Sequence, residues 1–96
     1  MDLITRLLKG IMSRVRIARY RRGGMRISGR VWLRGIEIQG SPRTVLLEDG
    51  VALDRGVVLL STNEQAEIRI GERCYVNRHT MIDAAQLVTI GAETMI

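Results

Sequence analysis

The feature that most constrains this chain is an apolar-x-apolar segment that recurs four times from residue 25 onward. The second apolar residues of the four segments are Ile27, Leu47, Ile70 and Ile90, at intervals of 20, 23 and 20 positions. A recurrence on this scale is typical of proteins built from stacked structural repeats.

A finer period of six residues runs inside each repeat. The aliphatic residues at this spacing are Leu47, Leu53 and Leu59, then Ile70, Val76, Ile82 and Val88, then Ile90 and Ile96. The residue after each aliphatic is compact or polar, and the fifth residue of each six is small. This pattern suits a chain that turns a corner every six residues.

A triangular coil explains the period. Three six-residue sides make a rung of about 18 residues, rungs stack at about 4.8 Å, and one aliphatic per side points inward. A helix has no such period, and a hairpin meander needs turn residues that are missing here, since the region has one Pro and no Asn-Gly. We therefore predict an all-β solenoid of about three to four rungs over residues 25–96, with Leu53, Val76 and Ile82 pointing inward.

The two ends of the predicted coil are less regular. In the first rung Gln39 occupies the third inward position, as expected of a degenerate end rung. At the other end Ile96 begins a six-residue unit that is not completed, so we expect the solenoid to be truncated there.

The first 24 residues form a separate, basic segment. Apolar residues recur in it with the spacing of one helical face, and Gly23 and Gly24 follow as a stop. We predict an amphipathic α-helix near residues 2–21 and a Gly-Gly linker, so that residues 1–24 precede a solenoid domain of residues 25–96. The segment carries seven Lys or Arg against one Asp, whereas the rest of the chain is almost neutral.

This helix lacks the apolar run of about 18 residues that a membrane-spanning helix needs. Three interpretations stay open: the apolar face packs on its own domain or on a partner subunit, it makes peripheral contact with anionic lipid through residues 1–22, or it is a mitochondrial-type presequence. Nucleic-acid binding is not expected, because no aromatic stacking platform accompanies the charge.

At this point the sequence resembles a known family. The run Ile68-Arg-Ile-Gly-Glu-Arg-Cys-Tyr-Val-Asn-Arg, then Ile82-Asp, then Val88-Thr-Ile-Gly-Ala-Glu-Thr-Met-Ile96, is similar to the hexapeptide-repeat acyltransferases. The resemblance covers roughly residues 25–96. It implies a left-handed parallel β-helix, a homotrimer, and transfer of an acetyl or other acyl group from acyl-CoA to a hydroxyl of a sugar or similar acceptor. Acetyl-CoA or another acyl-CoA would be the co-substrate, and no metal is expected.

The resemblance also points to individual residues. In sugar-acetylating members the base is a histidine on the rung that would follow Ile96, so no catalytic residue is expected within this chain. The one histidine, His79, is a secondary candidate, one rung earlier and expected on the surface. A matching Tyr75-Val76-Asn77 implies that Asn77 binds the acceptor; alternatively, this Asn only tolerates the turn after an inward aliphatic.

Two further side-chain types were candidates for chemistry. Cys74 fills a small inward position, where a buried and inert thiol is expected; as the single cysteine it cannot form an internal disulfide, which favours a reducing, cytoplasmic location. Coenzyme A phosphates could meet Arg69, Arg73 and Arg78, but an ion-paired surface with Glu67 and Glu72 is the simpler expectation.

The competing functional hypothesis is a non-enzymatic solenoid scaffold that its basic helix anchors to a membrane.

Overall fold

A computed structural model describes residues 2–96, which form one α-helix, one short 3-10 helix and ten strands. The helix α1 spans Asp2–Arg22, and the 3-10 helix spans Pro42–Thr44. The strands are β1 Arg26–Ile27, β2 Trp32–Leu33, β3 Glu37–Gln39, β4 Val45–Leu47, β5 Ala52–Leu53, β6 Val58–Ser61, β7 Glu67–Ile70, β8 Tyr75–Val76, β9 Met81–Ala84 and β10 Leu87–Ile90.

Every third strand pairs in parallel, so the chain winds around three walls. The first wall has the order β1-β4-β7-β10, the second β2-β5-β8 and the third β3-β6-β9. Parallel neighbours need a long crossover, and here the crossover is the passage around the other two walls. The domain is therefore a parallel β-solenoid of about three turns preceded by one helix, which confirms the predicted solenoid.

The register of the first wall reproduces the repeat in the sequence. Ile27 aligns with Leu47, Leu47 with Ile70, and Ile70 with Ile90. The middle interval exceeds the last one at a single corner, where residues 62–66 connect the third wall to the first, whereas residues 85–86 make the same connection one turn later. Extra length is thus confined to a surface loop, and the stacked strands stay in register.

Aliphatic side chains fill the interior of the coil. Leu53 and Val76 are at most 1% exposed and Ile82 is 7% exposed, so the three residues that we predicted to point inward do so. Two hydroxyl groups share this interior, and Thr44 Oγ1 donates a hydrogen bond of 2.9 Å to Ser61 Oγ. Because each hydroxyl has a partner, burying it carries no large desolvation cost.

The prediction for Gln39 is wrong. Ile38, not Gln39, aligns with the inward Leu59, and Gln39 is exposed. The cause is a tight turn in which the Ile36 N–H donates to the Arg34 carbonyl at 2.7 Å. This turn shortens the side of the first rung by one residue and brings an aliphatic residue inward.

The helix covers the first turn of the solenoid. Ser13 Oγ accepts a hydrogen bond of 3.3 Å from the Leu33 N–H, and Arg16 donates to the Leu33 carbonyl at 3.4 Å. Ile17 and Tyr20 pack against the core. The second half of α1 therefore occupies the edge at which the backbone of the first turn would lack partners.

The helix ends where the sequence indicates. The Met25 N–H donates to the Tyr20 carbonyl at 3.0 Å, and Gly24 has a positive φ of 104°. This is the left-handed glycine that commonly terminates a helix. Within residues 2–96, no helix is both long and apolar enough to cross a bilayer.

Candidate functional site

A groove of about 700 Å³ lies between α1 and the second wall of the solenoid. Its polar and aromatic lining comes from both elements and includes Ser13, Arg16, Trp32, Arg34, Asp54, Arg55 and Tyr75. Because the walls stack in register, residues from three successive turns meet here. Grooves with a few converging polar groups are the usual place for small ligands.

The carboxylate of Asp54 is the centre of this groove. Asp54 follows the inward Leu53 at the end of β5, and its side chain is largely buried. The Tyr75 hydroxyl donates to Asp54 Oδ2, and the Arg55 N–H donates to Oδ1 at 2.7 Å. Arg34 Nη1 lies 3.5 Å from the same Oδ1. Parallel pairing of Ala52 with Tyr75 brings the tyrosine beside this carboxylate.

These contacts shift the pKa values of Asp54 and Tyr75 in opposite directions. The hydrogen bonds from Tyr75 and from the Arg55 backbone, together with the charge of Arg34, hold the pKa of Asp54 below its ordinary value. The same hydrogen bond raises the pKa of Tyr75, because the phenolate would face a carboxylate. At neutral pH the groove therefore holds a charged Asp54 and a neutral Tyr75. A carboxylate with a lowered pKa is a poor general base but a good hydrogen-bond acceptor.

Replacing Tyr75 with Phe is expected to raise the pKa of Asp54 toward its ordinary value of 3.8. A lowered pKa in the folded state stabilises the fold above the unfolded-state pKa and loses this contribution as the pH falls through the folded-state pKa. The stability difference between wild type and Tyr75→Phe should therefore be present at neutral pH and shrink in acid. Urea unfolding midpoints over a pH series measure it.

The matched control for this variant is Tyr20→Phe. The Tyr20 hydroxyl donates at 3.4 Å to the Ile36 carbonyl, which does not titrate, so its loss should cost the same at each pH. A pH-independent difference for Tyr75→Phe would contradict the assigned role of its hydroxyl.

His79 lies on the surface and not among the residues that line the groove. It has a positive φ of 60°, and its N–H donates to the Arg55 carbonyl at 3.1 Å. Its ring lies directly over Gly56, where an added Cβ would come within 2.3 Å of Nδ1. The structure thus places His79 at a corner, in contact with the turn above.

Asn77 is also outside the groove. Its Oδ1 accepts a hydrogen bond of 2.7 Å from the Arg78 N–H, and its backbone N–H donates to the Ile96 carbonyl at 3.1 Å. The first contact is the local bond expected of an Asn at a turn. The side chain is exposed, and the structure does not bring it together with His79 or Asp54 in one pocket.

The remaining candidates are engaged elsewhere. The thiol of Cys74 is buried and donates to the Gly91 carbonyl at 2.9 Å. Arg69 lies 3.0 Å from Glu67, and Arg73 lies 3.2 Å from Glu72, so these two of the three arginines form the expected ion pairs, whereas Arg78 is exposed and pairs with neither glutamate. The described residues contain no group of three His, Cys, Asp or Glu side chains that could hold a metal ion.

Sequence analysis did not single out the cluster of Asp54, Tyr75 and Arg34. One sequence pattern pointed to it: Asp54 follows the inward Leu53 in the same way that Asn77 follows Val76. Aligning the six-residue units would have shown that position 54 is a polar corner. The contribution of α1 to the groove has no comparable pattern, because it depends on how the helix crosses the first turn.

Comparisons with protein-family models, with curated proteins and with solved structures each return no match to this chain. A functional proposal therefore has to rest on the residues of the chain itself.

Proposed function

We propose that this chain is part of an acyl-CoA-dependent O-acyltransferase that acylates a hydroxyl of a sugar or a similar acceptor. One observation carries the proposal: a parallel coil with three walls in which inward aliphatic residues follow one another every six positions. Two buried series show this spacing: Leu47, Leu53 and Leu59, and then Ile70, Val76 and Ile82. The same spacing underlies the resemblance to hexapeptide-repeat acyltransferases, with their left-handed coil, trimeric assembly and use of acetyl-CoA. A fold alone does not specify an activity, so the site must supply the rest.

The groove suits a hydroxyl-bearing acceptor. The indole of Trp32 is 56% exposed and offers a flat apolar surface on which a sugar ring can stack. The Asp54 carboxylate has about four acceptor sites, and three donors occupy it here, which leaves capacity for a ligand hydroxyl. Arg16 and Arg34 add donors along the rim. In our proposal these residues bind the acceptor.

The proton-accepting group is not among these residues. Deprotonating a hydroxyl is most efficient with a base whose pKa is near neutral, and the pKa values of Asp54 and Glu67 are both lowered. His79 is outside the groove. We therefore propose that the groove positions the acceptor and that the base comes from other residues of the assembled enzyme.

The test is the release of free coenzyme A from acetyl-CoA when monosaccharides are added, measured with a thiol-reactive dye on the full chain. Cys74 is only 1% exposed, so the folded protein should give little background. Release that depends on an acceptor supports the proposal. No release with any acceptor contradicts it.

Two variants should distinguish the contribution of the groove to catalysis from that of the surface residue His79. Asp54→Ala removes a charge-assisted hydrogen bond to the acceptor, worth about 1.5–3 kcal/mol, so KM for the acceptor should rise at least about tenfold. His79→Ala should leave kcat and KM within about twofold, because it changes a surface side chain. Circular dichroism establishes that both variants are folded. A large loss of kcat in His79→Ala would show that His79 is the base.

The second candidate is a non-enzymatic scaffold attached to a membrane. The observation in its favour is the exposure of the apolar residues of α1, which the solenoid does not cover. Membrane attachment without any acceptor-dependent release of coenzyme A would favour this candidate over the enzyme. Light scattering would show whether either form is the trimer that the resemblance implies.

A further inference from the structure

The first two-thirds of α1 leaves a row of apolar side chains uncovered. Seven of them are more than half exposed: Leu3, Ile4, Leu7, Leu8, Ile11, Met12 and Val15. They are among the largest exposed apolar side chains of the described residues, and together they form one continuous surface, which we call the apolar stripe. A contiguous apolar surface on a small domain usually marks an interaction site.

Most of the apolar stripe faces away from the solenoid, and Met12 at its edge also lines the groove. The residues of α1 that contact the first turn are Ser13, Arg16, Ile17 and Tyr20. A helix turns by about 100° per residue. On this basis the mean direction of the contacting residues and the mean direction of the apolar stripe differ by roughly 180° around the helix axis. The part of our first interpretation in which the apolar face packs on its own domain is therefore wrong. The described residues leave this face open.

Positive charge borders the apolar stripe. Arg14 lies along one border of the stripe and Arg19 along the other, and both are exposed. Residues 3–24 carry seven Lys or Arg and no Asp or Glu. A helix with an apolar face, basic flanks and a single acidic residue, Asp2 at its first position, fits the boundary between the acyl chains and the headgroups of an anionic membrane.

We propose that α1 lies in the plane of an anionic lipid surface, with the apolar stripe in the outer acyl region and the arginines at the headgroups. The stripe from Leu3 to Val15 is about 18 Å long at 1.5 Å per residue, which suits a helix that lies along the surface. The opposite face of α1 holds the solenoid, so the groove with Asp54 stays in water close to the bilayer.

Charge also argues against a second copy of this chain as the occupant. Pairing two apolar stripes would bring the basic flanks of both helices together with no acidic residue among residues 3–24 of either. Like charges at an interface oppose association, whereas anionic headgroups neutralise them. The lipid surface is therefore the occupant to which we commit.

The experiment is vesicle sedimentation of the full chain. Wild type is expected to sediment with vesicles of mixed phosphatidylserine and phosphatidylcholine and to bind phosphatidylcholine alone much more weakly. Leu7→Gln/Ile11→Gln should reduce binding at least about tenfold, because two apolar side chains lose their burial in the acyl region. Arg14→Gln/Arg19→Gln should reduce binding to the mixed vesicles by about fivefold for each arginine and leave binding to phosphatidylcholine unchanged.

The matched control is Met81→Gln/Leu87→Gln, which replaces two equally exposed apolar residues on the solenoid. This variant should bind the mixed vesicles as well as wild type does. Equal losses in the control and in Leu7→Gln/Ile11→Gln would overturn the proposal. It would also be overturned if wild type failed to bind the mixed vesicles and instead formed oligomers that Leu7→Gln/Ile11→Gln dissolves, since the apolar stripe would then be a contact between copies. Neither result depends on transferase activity.

Discussion

Val76→Asp is expected to unfold the solenoid. Val76 is fully buried in β8, directly stacked on Leu53 of the turn above. The substitution removes an apolar side chain from the interior, which costs about 1.5–3 kcal/mol, and places there an unpaired carboxylate, which costs several kcal/mol more. The total exceeds about 4 kcal/mol, against a typical stability of about 5–15 kcal/mol for a whole domain. Far-ultraviolet circular dichroism and urea unfolding measure the effect.

The neighbouring residue provides the control. Asn77→Asp introduces the same carboxylate one position later, on an exposed side chain, and retains the oxygen that accepts from the Arg78 N–H. It should change the free energy of unfolding by less than about 0.5 kcal/mol. A folded Val76→Asp with a stability close to that of Asn77→Asp would contradict the inward direction of Val76, and with it the six-residue interpretation of the repeat.

Gly40→Ala is expected to destabilise the protein by roughly 2–4 kcal/mol. Gly40 follows β3 with a φ of 106°, a conformation that strains any residue with a Cβ. An added Cβ would also come within 2.6 Å of the Ser61 carbonyl oxygen and within 2.4 Å of its Oγ. The backbone of the second turn would have to move away, and the buried hydrogen bond between Thr44 and Ser61 would move with it. The midpoint of thermal or urea unfolding reports the loss.

A second glycine provides the control that distinguishes this steric clash from the general effect of replacing glycine with alanine. An added Cβ at Gly91 would meet no atom within 4 Å, and Gly91 does not have a positive φ. Gly91→Ala should therefore be neutral or slightly stabilising, because alanine reduces the freedom of the unfolded chain. If Gly40→Ala and Gly91→Ala had the same effect, the close contact between the first and second turns would not limit stability.

The walls of the solenoid could be predicted because the repeat can be recognised from single aliphatic residues that recur at a fixed interval in the sequence. Each inward aliphatic, such as Leu53 or Ile82, recurs at an interval that only a coil with short sides explains, and the predicted helix ended within one residue of its observed end. Gln39 was placed wrongly because the turn at Arg34–Ile36 shortens one side by a residue, and no Pro or Asn-Gly marks it.

The groove could not be predicted for a different reason. It forms only where Ser13 and Arg16 cross the first turn, and the direction of that crossing is set by bonds to the Leu33 backbone. Backbone groups at a strand edge leave no trace in a hydropathy pattern. The same bonds turn a mixed face of α1, with Ser13 and Arg16 beside Ile17 and Tyr20, toward the solenoid and leave the more apolar face exposed, against the usual expectation that the apolar face of a helix packs on its own domain.

The corner at residues 62–66 has an evolutionary consequence. This corner is three residues longer than the equivalent corner one turn later. The strands on either side nevertheless stay aligned, Ser61 with Ala84 and Ile68 with Val88. A peptide grafted here would extend into solvent at little thermodynamic expense, since loop entropy grows slowly with length. New specificity could thus be acquired at this corner by insertion, while the rest of the molecule keeps its architecture.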